Sequence, residues 1–193
     1  LDPTVAEDLA ILNTLPDALK ATDSDGNVVA TIYQTVTHDD GGTQTTYLGT
    51  DGNILGYANS YSDSFSSNTN YEGPNWEWLG NVNENSDGSI FSSIKGITLN
   101  DDGVVIGSTM TNTEITSDFT RIEVTLYDTA GDRLSSEETV TSSGTTVVSK
   151  FDANWNLVGS FDGDGNLLDP MAVFQLGSFV FESGAEQEYA ESM

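Results

Sequence analysis

The sequence predicts an all-β fold, an antiparallel meander of long β-hairpins with one short N-terminal helix. From Asp23 onward polar and apolar residues alternate with a period of two, as they do in strands that bury one face. Turns rich in Asp, Asn and Gly interrupt the alternation about every 26 residues, which is room for two strands of about eight to ten residues and their turns. We expect the meander to close as a barrel, a sandwich or a shell.

Residues 1–20 predict the helix. Thr4 and Glu7 have the capping-box spacing, in which each side chain satisfies an amide at the helix start. Apolar residues then recur at helical spacing at Val5, Leu9 and Leu12. The helix should end before Pro16, because proline cannot continue it.

Residues 21–182 carry the hairpin repeat. The first turn falls at residues 23–27, and strands at 28–37, 43–48 and 54–63 alternate with turns at 39–42 and 49–53. Later turns recur near positions 103, 131 and 154, with a degenerate unit around residues 75–79. Turn glycines expected at positive φ are Gly52, Gly88, Gly103 and Gly131. Residues 173–181 could add a last apolar strand, and residues 183–193 read as an acidic tail or linker.

Small hydroxyl residues alternate along several strands, as at Thr109, Thr111 and Thr113. Residues between them are often apolar, as Met110 is. Since alternate residues point to opposite faces, we expect one polar Ser/Thr face and one apolar inner face.

Two of these units resemble a known repeat. Residues 126–134 and 151–157 have an aromatic or apolar residue followed by Asp, a polar turn and a Leu. At this level they resemble the YD repeats of bacterial Rhs-type and teneurin-type proteins, which wind antiparallel hairpins into a large β-shell. The resemblance implies a continuous meander in a secreted or surface protein, and no catalytic residue.

The amino-acid composition argues against several classes of binding partner. Asp and Glu total 31 against 5 Lys and Arg, which gives a formal charge of -26 that repels nucleic acid and anionic membranes. The chain contains no cysteine, so disulfides and thiolate metal sites are excluded. No apolar run approaches the length of a membrane helix, about 20 residues, so we expect no membrane insertion.

The densest aromatic cluster predicts a ligand site. Trp76 and Trp78 flank Glu77, and Tyr71 precedes them. In a strand the two Trp side chains would share a face and could stack on sugar rings. The alternative is that both fill a core where the degenerate repeat needs bulk.

The Asp-rich turns suggest calcium. The strongest case offers hard oxygen ligands within a few residues, at Asp162, Asp164, Asn166 and Asp169. Leu167 stands where an EF-hand loop needs glycine, so this turn is not an EF-hand. Plain solvated turns are the alternative.

The sequence gives little support for a catalytic site. His38, the only histidine, lies beside Asp39 and Asp40 in a predicted turn with no nucleophile placed near it. Acidic residues expected in strands could form a glycosidase pair, namely Glu77, Glu123, Glu137 and Glu138. We therefore predict no catalytic residue.

These features predict an extracellular structural or binding module of a bacterial surface or secreted protein. It would be adhesin-like, stabilised by calcium, and able to associate with itself or with another surface protein. The alternatives are a carbohydrate-binding module that uses Trp76 and Trp78, a carboxylate-dependent glycoside hydrolase, and an ice-binding surface made of threonine rows.

Overall fold

The chain forms one large antiparallel sheet. A computed structural model describes residues 1, 11–23, 27–100 and 104–169. Eleven strands follow one another in chain order, and each is paired with its neighbours in the sequence, so that the first and the last strand have one partner each. This confirms the predicted meander of hairpins. Among the described residues, no helix has the length and apolar character needed to cross a membrane.

The secondary structure begins with a short N-terminal segment. Residues 11–14 are helical, a 3₁₀ turn covers Asp17–Leu19, and a small two-stranded sheet follows, formed by β1 (Ala21–Thr22) and β2 (Val28–Val29). The large sheet consists of β3 (Thr31–Thr37), β4 (Thr43–Leu48), β5 (Ile54–Ser62), β6 (Ser66–Glu72), β7 (Trp78–Asn85), β8 (Ile90–Leu99), β9 (Val105–Ile115), β10 (Phe119–Asp128), β11 (Arg133–Ser142), β12 (Thr145–Asp152) and β13 (Leu157–Asp162).

Several predictions fall on the ends of the chain. The helix does end before Pro16, but its predicted start at Thr4 and Glu7 lies outside the described residues. The apolar segment 173–181 and the tail 183–193 lie outside them as well. In the described part of the chain β3 and β13 are the two edges of an open sheet, without the pairing that would close a barrel.

Most hairpins use one kind of turn. In the β4–β5 turn the Gly49 amide donates to the Asn53 carbonyl, and the Gly52 amide donates back to the Gly49 carbonyl. This is a type I turn with a bulge, whose fourth residue needs positive φ. Glycine meets that need at Gly41, Gly52, Gly88, Gly131 and Gly165, with φ between 79° and 88°. The expected turn role of Gly52, Gly88 and Gly131 is thus confirmed, whereas Gly103 lies outside the described residues.

The degenerate unit around residues 75–79 has the same turn. The Gly73 amide donates to the Glu77 carbonyl at 2.8 Å, and the Trp76 amide donates to the Gly73 carbonyl at 3.0 Å. Trp76 occupies the place of the turn glycine, with a φ of 65°. The hairpin repeat is therefore continuous in the structure, although its sequence motif is not recognisable in this unit.

The apolar core lies under the N-terminal segment. Leu12, Leu15 and Leu19 pack on one face of the first strands of the sheet, and Leu19 is fully buried. The sheet contributes Tyr47, Ala58, Tyr71 and Leu79, with Val82 and Ile94 partly buried at the margin. Gly56 lets Leu19 approach the backbone, because a Cβ there would collide with Leu19 and with the Glu72 carbonyl. We call this side of the sheet the core face and the opposite side the open face.

The register corrects the predicted assignment of faces. Thr45, Ala58 and Tyr71 are paired across β4, β5 and β6, and so point to the same side. Thr109 also lies on the core face, since a Cβ on its partner Gly96 would meet both Thr109 and Asp17 of the 3₁₀ turn. The Ser/Thr rows therefore share a face with the core. They do not form the separate polar face that alternation suggested.

The core covers only part of the sheet. Across the described part of β9 to β13, no apolar side chain is buried. The buried side chains there are small and polar, namely Thr125, Ser136 and Ser160. Among the described residues, the second half of the sheet is thus a single layer.

Candidate functional site

The open face carries an aromatic cluster at one end of β5 to β7. The Tyr57 and Trp76 rings stack with centroids 4.7 Å apart and an interplanar angle of 8°. Trp78 opens β7 opposite Glu72, which is itself paired with Tyr57. Trp76 and Trp78 remain 59% and 44% exposed, so the cluster presents aromatic surface to solvent.

Two details of this cluster differ from the prediction. Trp76 lies in the turn, and the strand begins only at Trp78. Tyr71 is not brought together with the Trp pair: it lies on the core face, 6% exposed, and burial raises the pKa of its hydroxyl. Tyr57 takes the place that the sequence suggested for Tyr71.

Trp76 adopts a conformation that its side chain disfavours. A non-glycine residue at positive φ costs about 1 kcal/mol or more. Its stacking on Tyr57 contributes about 0.5–1.5 kcal/mol, which roughly offsets that cost. Glycine would satisfy the turn without strain, as it does at Gly52. The turn itself gives no reason for a tryptophan here.

Trp155 repeats this arrangement in the β12–β13 turn. It has a φ of 64° and occupies the same fourth position, and its amide donates to the Asp152 carbonyl. The Arg133 guanidinium lies 3.7 Å from the ring centroid, a cation–π contact, and Phe151 packs edge-on. Trp155 is 56% exposed.

A row of polar side chains crosses the open face next to these aromatics. The residues are paired strand by strand from β4 to β13: Gln44, Asn59, Asn70, Asn81, Ser93, Asn112, Glu123, Glu138, Ser149 and Ser160. Gln44 donates to Asn59 at 2.9 Å, and Asn59 donates to Glu72 beside the Trp cluster at 2.8 Å. We call this set the polar row.

A shallow hollow of about 320 Å³ lies at the middle of the polar row. Its lining includes Asn81, Phe91, Asn112, Arg121 and Glu123. It combines amide donors and acceptors with one aromatic ring and one guanidinium, groups suited to hydrogen bonding with hydroxyl-rich molecules.

Two of the predicted carboxylates lie next to each other here, and one of them, Glu123, lines the hollow. Glu123 and Glu138 are directly paired across β10 and β11, and Arg121 lies between them. The Arg121 guanidinium forms an ion pair with Glu138 and a longer one, 3.9 Å, with Glu123. Arginine thus engages both carboxylates, which favours a structural role over an acid and base pair.

The other two carboxylates lie elsewhere. Glu77 is in the β6–β7 turn and not in a strand, and its carboxylate accepts from the Asn75 amide at 3.0 Å. Glu137 is on the core face, paired with Lys150 at 3.0 Å. His38 is an exposed residue of the β3–β4 turn, as expected.

The proposed calcium turn is a hairpin turn like the others. The Asp162 carboxylate accepts from the Asp164 and Asn166 amides and from the Asn166 side chain. These hydrogen bonds, that of the Asn166 side chain first, lower the pKa of Asp162. In the part of the chain described by the structure, no three His, Asp or Glu side chains gather in a way that could hold a metal. Asp162 therefore has a turn-forming role of its own.

The sequence contained a signal for one of the residues it did not single out. Trp155 stands where the repeat alignment puts a turn glycine, as Trp76 does. Tyr57 could not be placed beside Trp78 by counting alternate residues, because the bulge between Tyr71 and Glu72 moves Trp78 to the open face. Arg133 could not be found either, because its contact with Trp155 depends on side-chain direction.

Comparison with protein-family models and with curated proteins gives no relative. No protein-family model matches the chain, and no curated protein matches it. The chemistry of the open face is therefore the basis for a function: exposed aromatic rings beside a continuous row of amides, hydroxyls and two carboxylates.

Proposed function

We propose that the protein is an extracellular binding module that holds neutral polysaccharide on its open face. The stack of Tyr57 and Trp76, with Trp78 beside it and the polar row adjoining, is the observation that carries this proposal. Sugar rings have apolar faces that stack on aromatic rings and hydroxyl rims that bond to amides. Both kinds of partner lie side by side here.

The negative charge of the protein favours neutral polysaccharide over anionic polysaccharide. The chain carries a formal charge of -26, and on the open face Glu72, Glu114, Glu123 and Glu138 outnumber Lys95, Arg121 and Arg133. Anionic polymers would be repelled, whereas neutral hexose chains would not. An open sheet also suits a long polymer better than a small molecule, because a small molecule usually needs an enclosed pocket.

The test is a pull-down on amorphous cellulose and other insoluble neutral glucans, with alginate as the anionic comparison. We expect wild-type protein to bind the neutral material and not alginate. Trp78→Ala should weaken binding about tenfold, as loss of a central aromatic contact commonly does. Phe65→Ala is the matched control, since Phe65 is 74% exposed at the opposite end of the strands.

Equal binding by the wild type and by Trp78→Ala would contradict the proposed site. Binding to alginate alone would contradict the charge argument.

A second role, self-association, is favoured by one edge of the sheet. Every residue of β3 is exposed, and the strand pairs only on its β4 side within the described residues. Such an edge can pair with another copy of the chain, as in a surface array. Sedimentation in rising sodium chloride tests this: screening should strengthen association, and Val36→Lys should abolish it. A monomer under all conditions would remove this role.

Calcium remains a separate proposal. An ion at the β13 turn would use Asp162, Asp164, Asn166 and Asp169, with main-chain carbonyls completing the oxygen ligands. Its support is the concentration of carboxylates in one loop of a highly acidic chain.

A further inference from the structure

Two tryptophans, Trp76 and Trp155, replace turn glycines. Both lie at the same end of the strands. Turns alternate between the two ends of the strands, and the β6–β7 and β12–β13 turns are at the same end. Six strand positions separate them. At about 4.8 Å between neighbouring strands, this corresponds to about 29 Å across the sheet.

Both tryptophans also lie on the same face. Trp76 stacks on Tyr57, which is on the open face. Trp155 packs against Phe151. Phe151 is paired with Ser136, and Ser136 is paired in turn with Thr125, so all three are on the open face. The chain has three Trp residues, and the third, Trp78, is on this face and edge too. We call this margin of the open face the tryptophan edge.

Another aromatic residue lies between the two ends of the tryptophan edge. Tyr127 is on β10, half-buried, and is paired with Arg133, the residue whose guanidinium covers Trp155. The edge thus offers aromatic surface at β6–β7, at β10 and at β12–β13, with the polar row running alongside.

We infer that the tryptophan edge is one continuous binding track for a single extended chain of neutral sugar, which crosses the strands from Trp76 to Trp155. This inference rests on the proposed function and specifies its ligand as a polymer long enough to span about 29 Å. The strained conformation is the argument that links the two ends. The same costly substitution at two equivalent turns, on one face and one edge, indicates one shared purpose.

The experiment is a length series of cello-oligosaccharides, from two to eight sugar units, titrated by calorimetry into the wild type, Trp76→Gly and Trp155→Gly. Glycine is the native residue at this position in the sibling turns, so both variants should fold. In the wild type we expect affinity to rise with length up to a chain that reaches both tryptophans, with one long chain bound per protein. Trp155→Gly should remove that rise, so that long chains bind no more tightly than short ones.

A gain-of-function variant tests the same idea without loss of a residue. Gly131 is at the fourth position of the β10–β11 turn on the same edge, and a Cβ there meets no atom within 4 Å. Gly131→Trp should tighten the binding of the octasaccharide and not of the disaccharide. A variant that binds the octasaccharide no better than the wild type would count against the track.

The outcomes separate this inference from the proposed function. If Trp76→Gly weakens binding while Trp155→Gly leaves long-chain binding intact, the continuous track is overturned and the Trp76 site stands. Two short chains bound per protein, with no gain from length, would also overturn the track. If the wild type binds no neutral chain of any length, the proposed function itself fails.

Discussion

The two halves of the sheet share one repeat but are stabilised differently. From β4 to β8 the core face is covered by residues 11–19, and Leu19 and Tyr47 are buried in an apolar core. From β9 to β13 the core face bears half-exposed apolar side chains such as Leu126 and Val148, and the buried groups are hydroxyls. Within the described residues, the hairpin pattern thus extends beyond the apolar core.

Cross-strand side-chain pairs occur in both halves, as at Ser60 and Thr69 in the first, but in the second half no buried apolar side chain accompanies them among the described residues. Paired hydroxyls hydrogen-bond between neighbouring strands of the second half, with examples at Thr125 and Ser136, Thr141 and Thr146, and Ser149 and Ser160. Ion pairs of Arg121 and Lys150 lie in the same half. Each such pair contributes a fraction of a kcal/mol, about 0.2–1, so their number matters more than any single one.

The largest expected effect comes from deleting the same atoms in each half. Leu19→Ala should cost about 2–5 kcal/mol, because it leaves a cavity in the only apolar core of the described residues. Leu126→Ala is the matched change in the second half. It should cost about 1 kcal/mol, since that side chain is only half-buried.

Urea unfolding of both variants, followed by circular dichroism, measures the difference. Equal costs would mean that the second half is covered as fully as the first, and the single-layer description would be wrong.

The two halves of the sheet should also unfold at different pH. Burial, with a smaller contribution from Tyr71, raises the pKa of Tyr47 to about 12. The unfolded chain ionises near an ordinary tyrosine pKa of about 10. The stabilising contribution of neutral Tyr47 is therefore fully present below pH 10 and lost as the pH rises through about 12.

Amide signals followed by NMR between pH 9 and 12 check this prediction. Strands β4 to β8 should lose their signals at lower pH than β10 to β13, and Tyr47→Phe should reduce the gap. Simultaneous loss in both halves, unaffected by Tyr47→Phe, would show that general charge repulsion governs alkaline unfolding.

The sequence predicted the strands and turns closely because local chemistry determines them. Gly, Asn and Asp at fixed turn positions define each hairpin, and the alternation defines which residues within a strand share a face. The predicted strand at residues 43–48 coincides with β4. The one unit that seemed degenerate was obscured because Trp76 replaced the informative glycine.

The faces and the site could not be predicted in the same way. Alternation tells which residues point together, but the choice of covered face depends on where the N-terminal leucines dock. Bulges add to the difficulty, because each one reverses the alternation; the bulge between Tyr71 and Glu72 is an example. Tyr71 and Trp78 are for this reason on opposite faces, although they are close in sequence.

The smallest expected effect concerns the turn that ends the second half. If calcium binds there, an ion concentration of about ten times Kd should add about 1.4 kcal/mol, beyond what sodium chloride of equal ionic strength provides. Asp164→Asn should reduce that gain, because it removes a carboxylate without removing the hydrogen bonds that Asp162 accepts. Asp132→Asn, in the β10–β11 turn, makes the same change in charge and should leave the gain intact. Thermal melting in EDTA, calcium and matched salt measures all three proteins. A response to calcium no greater than the response to matched salt would assign these carboxylates to turn formation alone, and the second half would then depend on its cross-strand pairs.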